Sequence, residues 1–225
     1  KTKAEIDMLH SALMNYKNEY GSFPPANMNG LWNFGNGSLN KGHAVYKHLV
    51  KIFPRLSEDT SASGPYPRIA VMSPAQALVF WLSGFYQNPE YPLTNQGSPG
   101  QRQKFFDFDE SRLYEASVYA FSSAPQTFAP RTSSNVLAVY MTGHPSCGLP
   151  YVYFDGRCYS GAAGTDFVYY ATNLTGDSSA IAPYVNSVTF PDATTTWAQK
   201  HMSGDTFQLI AAGKARDYPR ARAIH

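Results

Sequence analysis

The sequence predicts an α+β chain: a long N-terminal helix packed on a small antiparallel sheet, with a large helical and loop insertion between the two in sequence. Three observations predict it. An apolar stripe at helical spacing runs through the first two dozen residues, then Gly and Pro break it. From Val136 onward the apolar residues instead come in short β-branched and aromatic runs bounded by Gly, Pro, Asn or Asp. At 225 residues the chain can bury a sizeable core as one domain, with residues 1–21 as the helix, 30–130 as the variable insertion and 136–213 as the sheet.

The helix is carried by Ile6, Leu9, Leu13, Tyr16 and Tyr20, which recur at steps of three and four and form one stripe. Lys3, Asp7, Lys17 and Asn18 fall largely off it. Thr2-Lys3-Ala4-Glu5 fits a capping box, with Glu5 reaching back to the cap. Lys1 is not an initiator residue, and the other expectation is a helix that continues upstream into a segment this chain lacks. Gly21 supplies a C-terminal stop and Pro24-Pro25 prevents resumption. Residues 22–42 read as irregular, with Gly30 to Phe34 tucking apolar side chains under the helix.

Residues 43–53 read as a short helix through Val45, Leu49, Val50 and Ile52, stopped by Pro54; a loop covers 55–72. A second clear helix begins at Ser73, with Pro74 at its first position and Gln76 completing a capping box. Ala77, Leu78, Phe80, Trp81 and Leu82 make it apolar almost all round and therefore buried, and Gly84 or Asn88-Pro89 ends it. Residues 88–103 are turn-rich. Phe105 to Leu113 has no clear period, although Asp109 can cap a short helical turn. The strands follow: 136–140, 151–154, 167–170 and 207–210, a sheet of three or four strands.

Composition narrows the function. Charged residues make up 15%, below the roughly 25% usual for globular chains. A net charge of +2 with no Lys/Arg run argues against a nucleic-acid binder. No apolar stretch is long enough to span a bilayer. Cys147 and Cys158, the only cysteines, flank a short Pro- and Gly-containing segment. They either close a disulfide, contributing roughly 2–3 kcal/mol and implying an oxidising compartment, or stay as buried thiols.

Catalytic patterns are not found. The six histidines lack ligand spacing, the cysteines lack Cys-x-x-Cys spacing, and no nucleophile elbow or phosphate loop occurs. Asp107-Phe108-Asp109-Glu110 is the densest acidic cluster, read as a solvated turn and cap rather than a cation site. Asp155, Asp166 and Asp177 read as turn residues. Tyr151, Tyr153, Tyr159, Tyr169 and Tyr170, with Trp32 or Trp197, admit two readings: a sugar-stacking platform, or sheet packing with amphipathic surface.

Two segments carry a family resemblance. Lys3 to Pro25, with its Asp-x-x-x-Leu-x-x-Ala-Leu-x-x-Tyr-Lys pattern running into Gly21-Ser22-Phe23-Pro24, resembles the membrane-distal helix of type II secretion pseudopilins and related type IV pilin-like proteins. Asp205-Thr206-Phe207-Gln208-Leu209-Ile210-Ala211-Ala212-Gly213 resembles that family's last strand, and Pro150 to Asp155 is similar to a segment of its larger members. Residues 30–130 have no counterpart in a minimal major subunit.

The resemblance implies a non-catalytic structural subunit of a pseudopilus or pilus-like filament. Its partners would be sister subunits and the assembly machinery, with a membrane engaged through an apolar helical segment upstream. The precursor would be anchored in the inner membrane and the assembled subunit periplasmic or at the cell surface. Where many relatives carry an acidic calcium loop, Gly213 to Tyr218 offers two cations and one carboxylate, a poor donor set for calcium, and no cofactor is expected. The alternatives are a minor tip subunit or adhesin whose insertion binds a glycan or partner protein, and a secreted hydrolase.

Overall fold

The computed structural model describes residues 2–26, 44–60, 69, 72–96, 100–116, 128–132, 136–143, 148–156, 169–172, 178–181, 184 and 206–211. Within them the chain is α+β. Helix α1 (Thr2–Tyr20) opens it. Leu9, Ala12, Leu13 and Tyr16 are buried, and Ile6 and Tyr20 pack partly buried against the same core. The helix ends on Gly21, whose N–H donates to Lys17 O at 2.7 Å and whose φ of +72° is the left-handed value that glycine adopts at least cost.

The Phe23-Pro24-Pro25 segment that follows is pinned from two sides. Tyr153 Oη donates to Pro24 O at 2.7 Å, and Trp81 Nε1 donates to Pro25 O at 2.9 Å. Both donors are buried, so each satisfies a polar group that would be costly left alone.

Helix α2 (Ala44–Ile52) presents Val45, His48 and Leu49 inward. Helix α3 (Pro74–Leu82) is buried along its whole length. Ser73 caps it: its hydroxyl accepts from Gln76 N at 3.2 Å, and Gln76 Oε1 accepts from Ser73 N at 2.8 Å. Gln76, fully buried, also donates to Leu137 O at 3.4 Å, which ties the cap to the sheet region. Gly84 ends the turn after α3 with φ +74°.

Strands β1 (Phe85–Tyr86) and β2 (Arg102–Gln103) pair antiparallel. A 3-10 turn (Glu110–Arg112) capped by Asp109 leads into β3 (Leu113–Ala116), which lies between β4 (Phe128–Pro130) and β5 (Ala138–Tyr140). Strand β6 (Val152–Asp155) pairs antiparallel with β9 (Phe207–Ile210). An antiparallel bridge between Met141 and Pro150 joins β5 to β6, reinforced by Tyr151 N donating to Tyr140 O at 2.9 Å and Thr142 N to Leu149 O at 3.0 Å. The three-stranded sheet β4-β3-β5 and the pair β6-β9 are thus linked at this bridge. A separate antiparallel pair comprises β7 (Tyr169–Thr172) and β8 (Ser178–Ile181).

Three expectations need correction. The segment 30–130 is not only helix and loop: it supplies β1 to β4, and β3 and β4 extend the sheet itself. Leu113-Tyr114-Glu115-Ala116 has too short and mixed a pattern to read as strand, and Pro130 is tolerated because β4 is an edge. Second, α1 is not the sheet's main cover: α3 packs more extensively against β5 and β6, while α1 reaches the strands through Glu5 and through His10, whose ring lies 5.4 Å from Phe207 of β9. The C-terminal half of the α1 stripe meets α3 and the residues after it: the Tyr16 ring lies 6.1 Å from Trp81 and 5.0 Å from Phe105. Third, the Glu5 carboxylate does not turn back to the helix cap; Arg112, Tyr140 and Tyr151 hold it instead.

Candidate functional site

The polar centre of the described structure is a four-residue cluster that joins the start of α1 to the sheet. Arg112 Nη1 donates to Glu5 Oε1 at 2.6 Å and Nη2 to Oε2 at 2.9 Å, a bidentate pair. Tyr140 Oη donates to Oε1 at 3.0 Å, and Tyr151 Oη donates to Oε2. Arg112 Nε donates to Met141 O at 3.0 Å, and its guanidinium lies 4.2 Å over the Tyr140 ring. A fork of charge and two phenols outcompetes the single backbone N–H of a capping box, which is why Glu5 leaves its own helix end.

The electrostatics follow. Burial pushes the Glu5 carboxyl up, but the bonds from Arg112 and Tyr151, the Arg112 charge and the Tyr140 bond together hold it below its ordinary 4.5. Burial pushes the Tyr140 phenol up to about 12, against the pull of Arg112 and with the carboxylate of Glu5 adding to it; Tyr151 is raised by burial and by its bond to Glu5. All four groups are matched to one another, and the cluster is a clamp rather than a reactive centre.

A cleft of about 230 Å³ lies beside it. Arg102 of β2, Lys104, Arg131 after β4 and Glu110 of the 3-10 turn give its walls charge. Tyr86 of β1, Phe106 and Phe108 give it aromatic surface. The Arg102 guanidinium lies 5.2 Å over the Tyr86 ring, and its Nη2 donates to Leu93 O at 3.3 Å. Arg131 sits 3.7 Å from Glu110, and Lys104 is 2.8 Å from Asp107. Behind the lining residue Leu93, buried Glu58, which does not itself line the cleft, accepts from Leu93 N at 2.7 Å, and burial raises its carboxyl against the influence of Thr94, Leu93 and Arg102.

A second cavity of about 310 Å³ brings together Ser22, Lys47, His48, Lys51 and Asp155. Its residue types suit hydrolysis, but their bonding does not. His48 Nε2 lies 2.9 Å from the buried Tyr16 hydroxyl, and Lys51 Nζ donates to Ser22 Oγ at 3.1 Å, so the ammonium is a donor to that serine and not its base.

The residues read from the sequence fall as follows. Leu9, Leu13 and Tyr16 face the chain's own core, with Ile6 and Tyr20 at its margin. Cys147 and Cys158 lie outside the described residues, as do Asp166, Asp177, Tyr159, Trp32, Trp197 and the segment from Gly213 to Tyr218. Tyr151 and Tyr153 are fully buried, so neither belongs to a sugar platform. Asp155 is not a turn residue but the buried last residue of β6. In the acidic cluster, Asp109 accepts from Ser111 N, Asp107 pairs with Lys104 and Glu110 with Arg131. No group of metal-ligating side chains occurs among the described residues.

The clamp and the cleft were both missed by sequence reasoning. Their members are scattered from Glu5 to Tyr151 with no local spacing, so no sequence signal announced either. Comparison with family models, curated proteins and solved structures gives no match to the chain.

Proposed function

We propose that the chain is the globular part of a non-catalytic structural subunit of a pilin-like filament, of the pseudopilus or type IV pilus kind. The observation that carries this reading is the two-sided character of α1. One stripe anchors it in the core, while Lys3, Asp7, Met8, Ser11, Met14 and Asn15 face outward, with Met8 55% and Met14 36% exposed. Those two methionines are the large apolar side chains exposed among the described residues. A long helix with one face committed and the other carrying flexible apolar side chains is suited to contact sister subunits. The resemblance of Lys3 to Pro25 and of the last strand to the pilin-like pattern is in keeping with the same reading.

On this reading an apolar helical segment precedes α1 in the intact protein, anchors the precursor in the inner membrane and later forms the filament core; the subunit then resides in the periplasm or at the surface. No helix among the described residues is itself long and apolar enough to cross a membrane. The test uses the complete gene product in its own cells. N-terminal sequencing of the membrane-derived protein should find an apolar stretch running into Lys1, and Met8→Cys with Met14→Cys should give cross-linked ladders. A mature N-terminus with nothing apolar before Lys1, or a folded protein that stays monomeric under cross-linker, overturns the proposal.

A further inference from the structure

We propose that the cleft between β1-β2 and β3-β4 binds a carboxylate-bearing sugar, a uronate-type unit of an acidic glycan. The proposal concerns a site within the segment 30–130 and does not depend on filament assembly.

Three features converge on that chemistry. First, the wall is cationic without being uniformly so: Arg102, Lys104 and Arg131 face a cleft that also holds Glu110. With Glu110 3.7 Å from Arg131 and Asp107 2.8 Å from Lys104, the three cations leave a surplus of one positive charge, which suits a ligand of single negative charge that also carries hydroxyl donors. A phosphate dianion would meet stronger repulsion from Glu110 than a single carboxylate does, and the hydroxyls of a sugar ring can donate to Glu110. Second, the charges alternate with ring surface from Tyr86 and Phe106. The C–H bonds of a pyranose are slightly positive and seek the negative face of an aromatic ring, while its acid group seeks the cations beside it.

Third, the space and the fixing of the groups match. A cleft of about 230 Å³ lies below the usual size of drug-sized ligand pockets and so suits a single small ring rather than an extended ligand. The Arg102 guanidinium is already oriented by the Tyr86 ring and Leu93 O, and the side chain of Arg131 is only 15% exposed, so neither arginine has much rotamer freedom left to lose on binding. Lys104, 54% exposed, is the adaptable member.

The test uses the 225-residue chain and isothermal titration with three probes: an oligogalacturonate, the neutral galactose oligosaccharide of equal length, and an oligoglutamate peptide. The oligogalacturonate should bind, weaken as salt is raised, and exceed both other probes by about tenfold or more. Galacturonate as the free monosaccharide should still bind, more weakly, if the cleft reads one ring; binding only of the long oligomer would move recognition to a wider surface and overturn the single-ring assignment. Lys104→Glu, at an exposed position, should cut affinity about tenfold with an unchanged melting curve. Arg131→Gln should do the same, and a melting curve on each variant separates lost binding from lost folding. Equal binding of the neutral sugar, equal binding of the acidic peptide, or no heat with oligogalacturonate at millimolar concentration each overturns the proposal.

Discussion

Glu5 is the residue on which the N-terminal helix depends most. It lies near the start of α1, where an acidic side chain already suits the helix dipole, yet its carboxylate points across to Arg112, Tyr140 and Tyr151. Glu5→Gln leaves a part-buried guanidinium with half its fork unmatched and should cost about 2–3 kcal/mol at neutral pH. Urea unfolding of the parent chain and the variant measures this directly. The pH dependence has a definite sign. A carboxyl held below its ordinary value stabilises the fold above that value and loses its contribution as pH falls through the folded one. The difference between the parent chain and the Glu5→Gln variant should therefore vanish in acid. Tyr140 acts at the other end of the scale. A phenol raised from 10.0 to about 12 keeps its full stabilisation below pH 10 and loses it as pH rises toward 12. The clamp therefore loosens from both sides.

At the scale of elements, two glycines with the same backbone conformation should respond differently. Gly21 and Gly84 have φ of +72° and +74°. A Cβ at Gly21 would meet nothing within 4 Å, whereas at Gly84 it would lie 1.8 Å from Gln103 O, in the β2 backbone. Gly21→Ala should cost only the left-handed penalty, about 1–2 kcal/mol. Gly84→Ala must in addition push β1 from β2, and should cost well over that or fail to fold; thermal melts of both variants check the ordering. This contrast also marks how far the elements were legible. The helix from Thr2 to Tyr20, the Ser73 capping box and the last strand are local signals and stand where the sequence puts them. Strands β3 and β4 are not local signals. Tyr114 pairs with Val139 and Pro130 only because the chain returns twice, once to each side of β3, and no period within four residues announces that. The clamp was illegible for the same reason: Glu5 and Tyr151 are far apart in sequence, and Thr2-Lys3-Ala4-Glu5 offered a plausible nearer partner.

Over the whole molecule, the two carboxylates in unlike surroundings pull the pH profile in opposite directions. Glu58 is raised by burial, so its contribution is full below the ordinary carboxyl value and declines as pH rises through its folded value. Glu5 is lowered, and its contribution is lost in the opposite direction. Stability should therefore pass through a maximum on the acid side of neutrality. Glu58→Gln keeps an acceptor for Leu93 N–H, removes the buried charge, and should raise the melting temperature at pH 7 by a few degrees, about 2–4 °C for each kcal/mol. The same variant should lose the gain as pH falls through the folded value toward the ordinary 4.5; a melting series across pH 4–8 reads both effects, and an unchanged profile would mean that Glu58 is not strained by its burial.

The fixing of α1 at both ends has a mechanical consequence. Near its start the helix is held by the Glu5 fork, and just past its end by the bonds from Tyr153 and Trp81 to the two proline carbonyls. Those anchor points are separated by roughly 22 Å of helix, from Glu5 to Tyr20 at 1.5 Å per residue, and by the short extended segment after it. A load drawn along the helix axis therefore meets both attachments in shear, together with the apolar stripe between them. It cannot open the contacts one at a time, as a pull on a single free end would. The globular body should behave under axial tension as a riveted strut rather than a peeling tape.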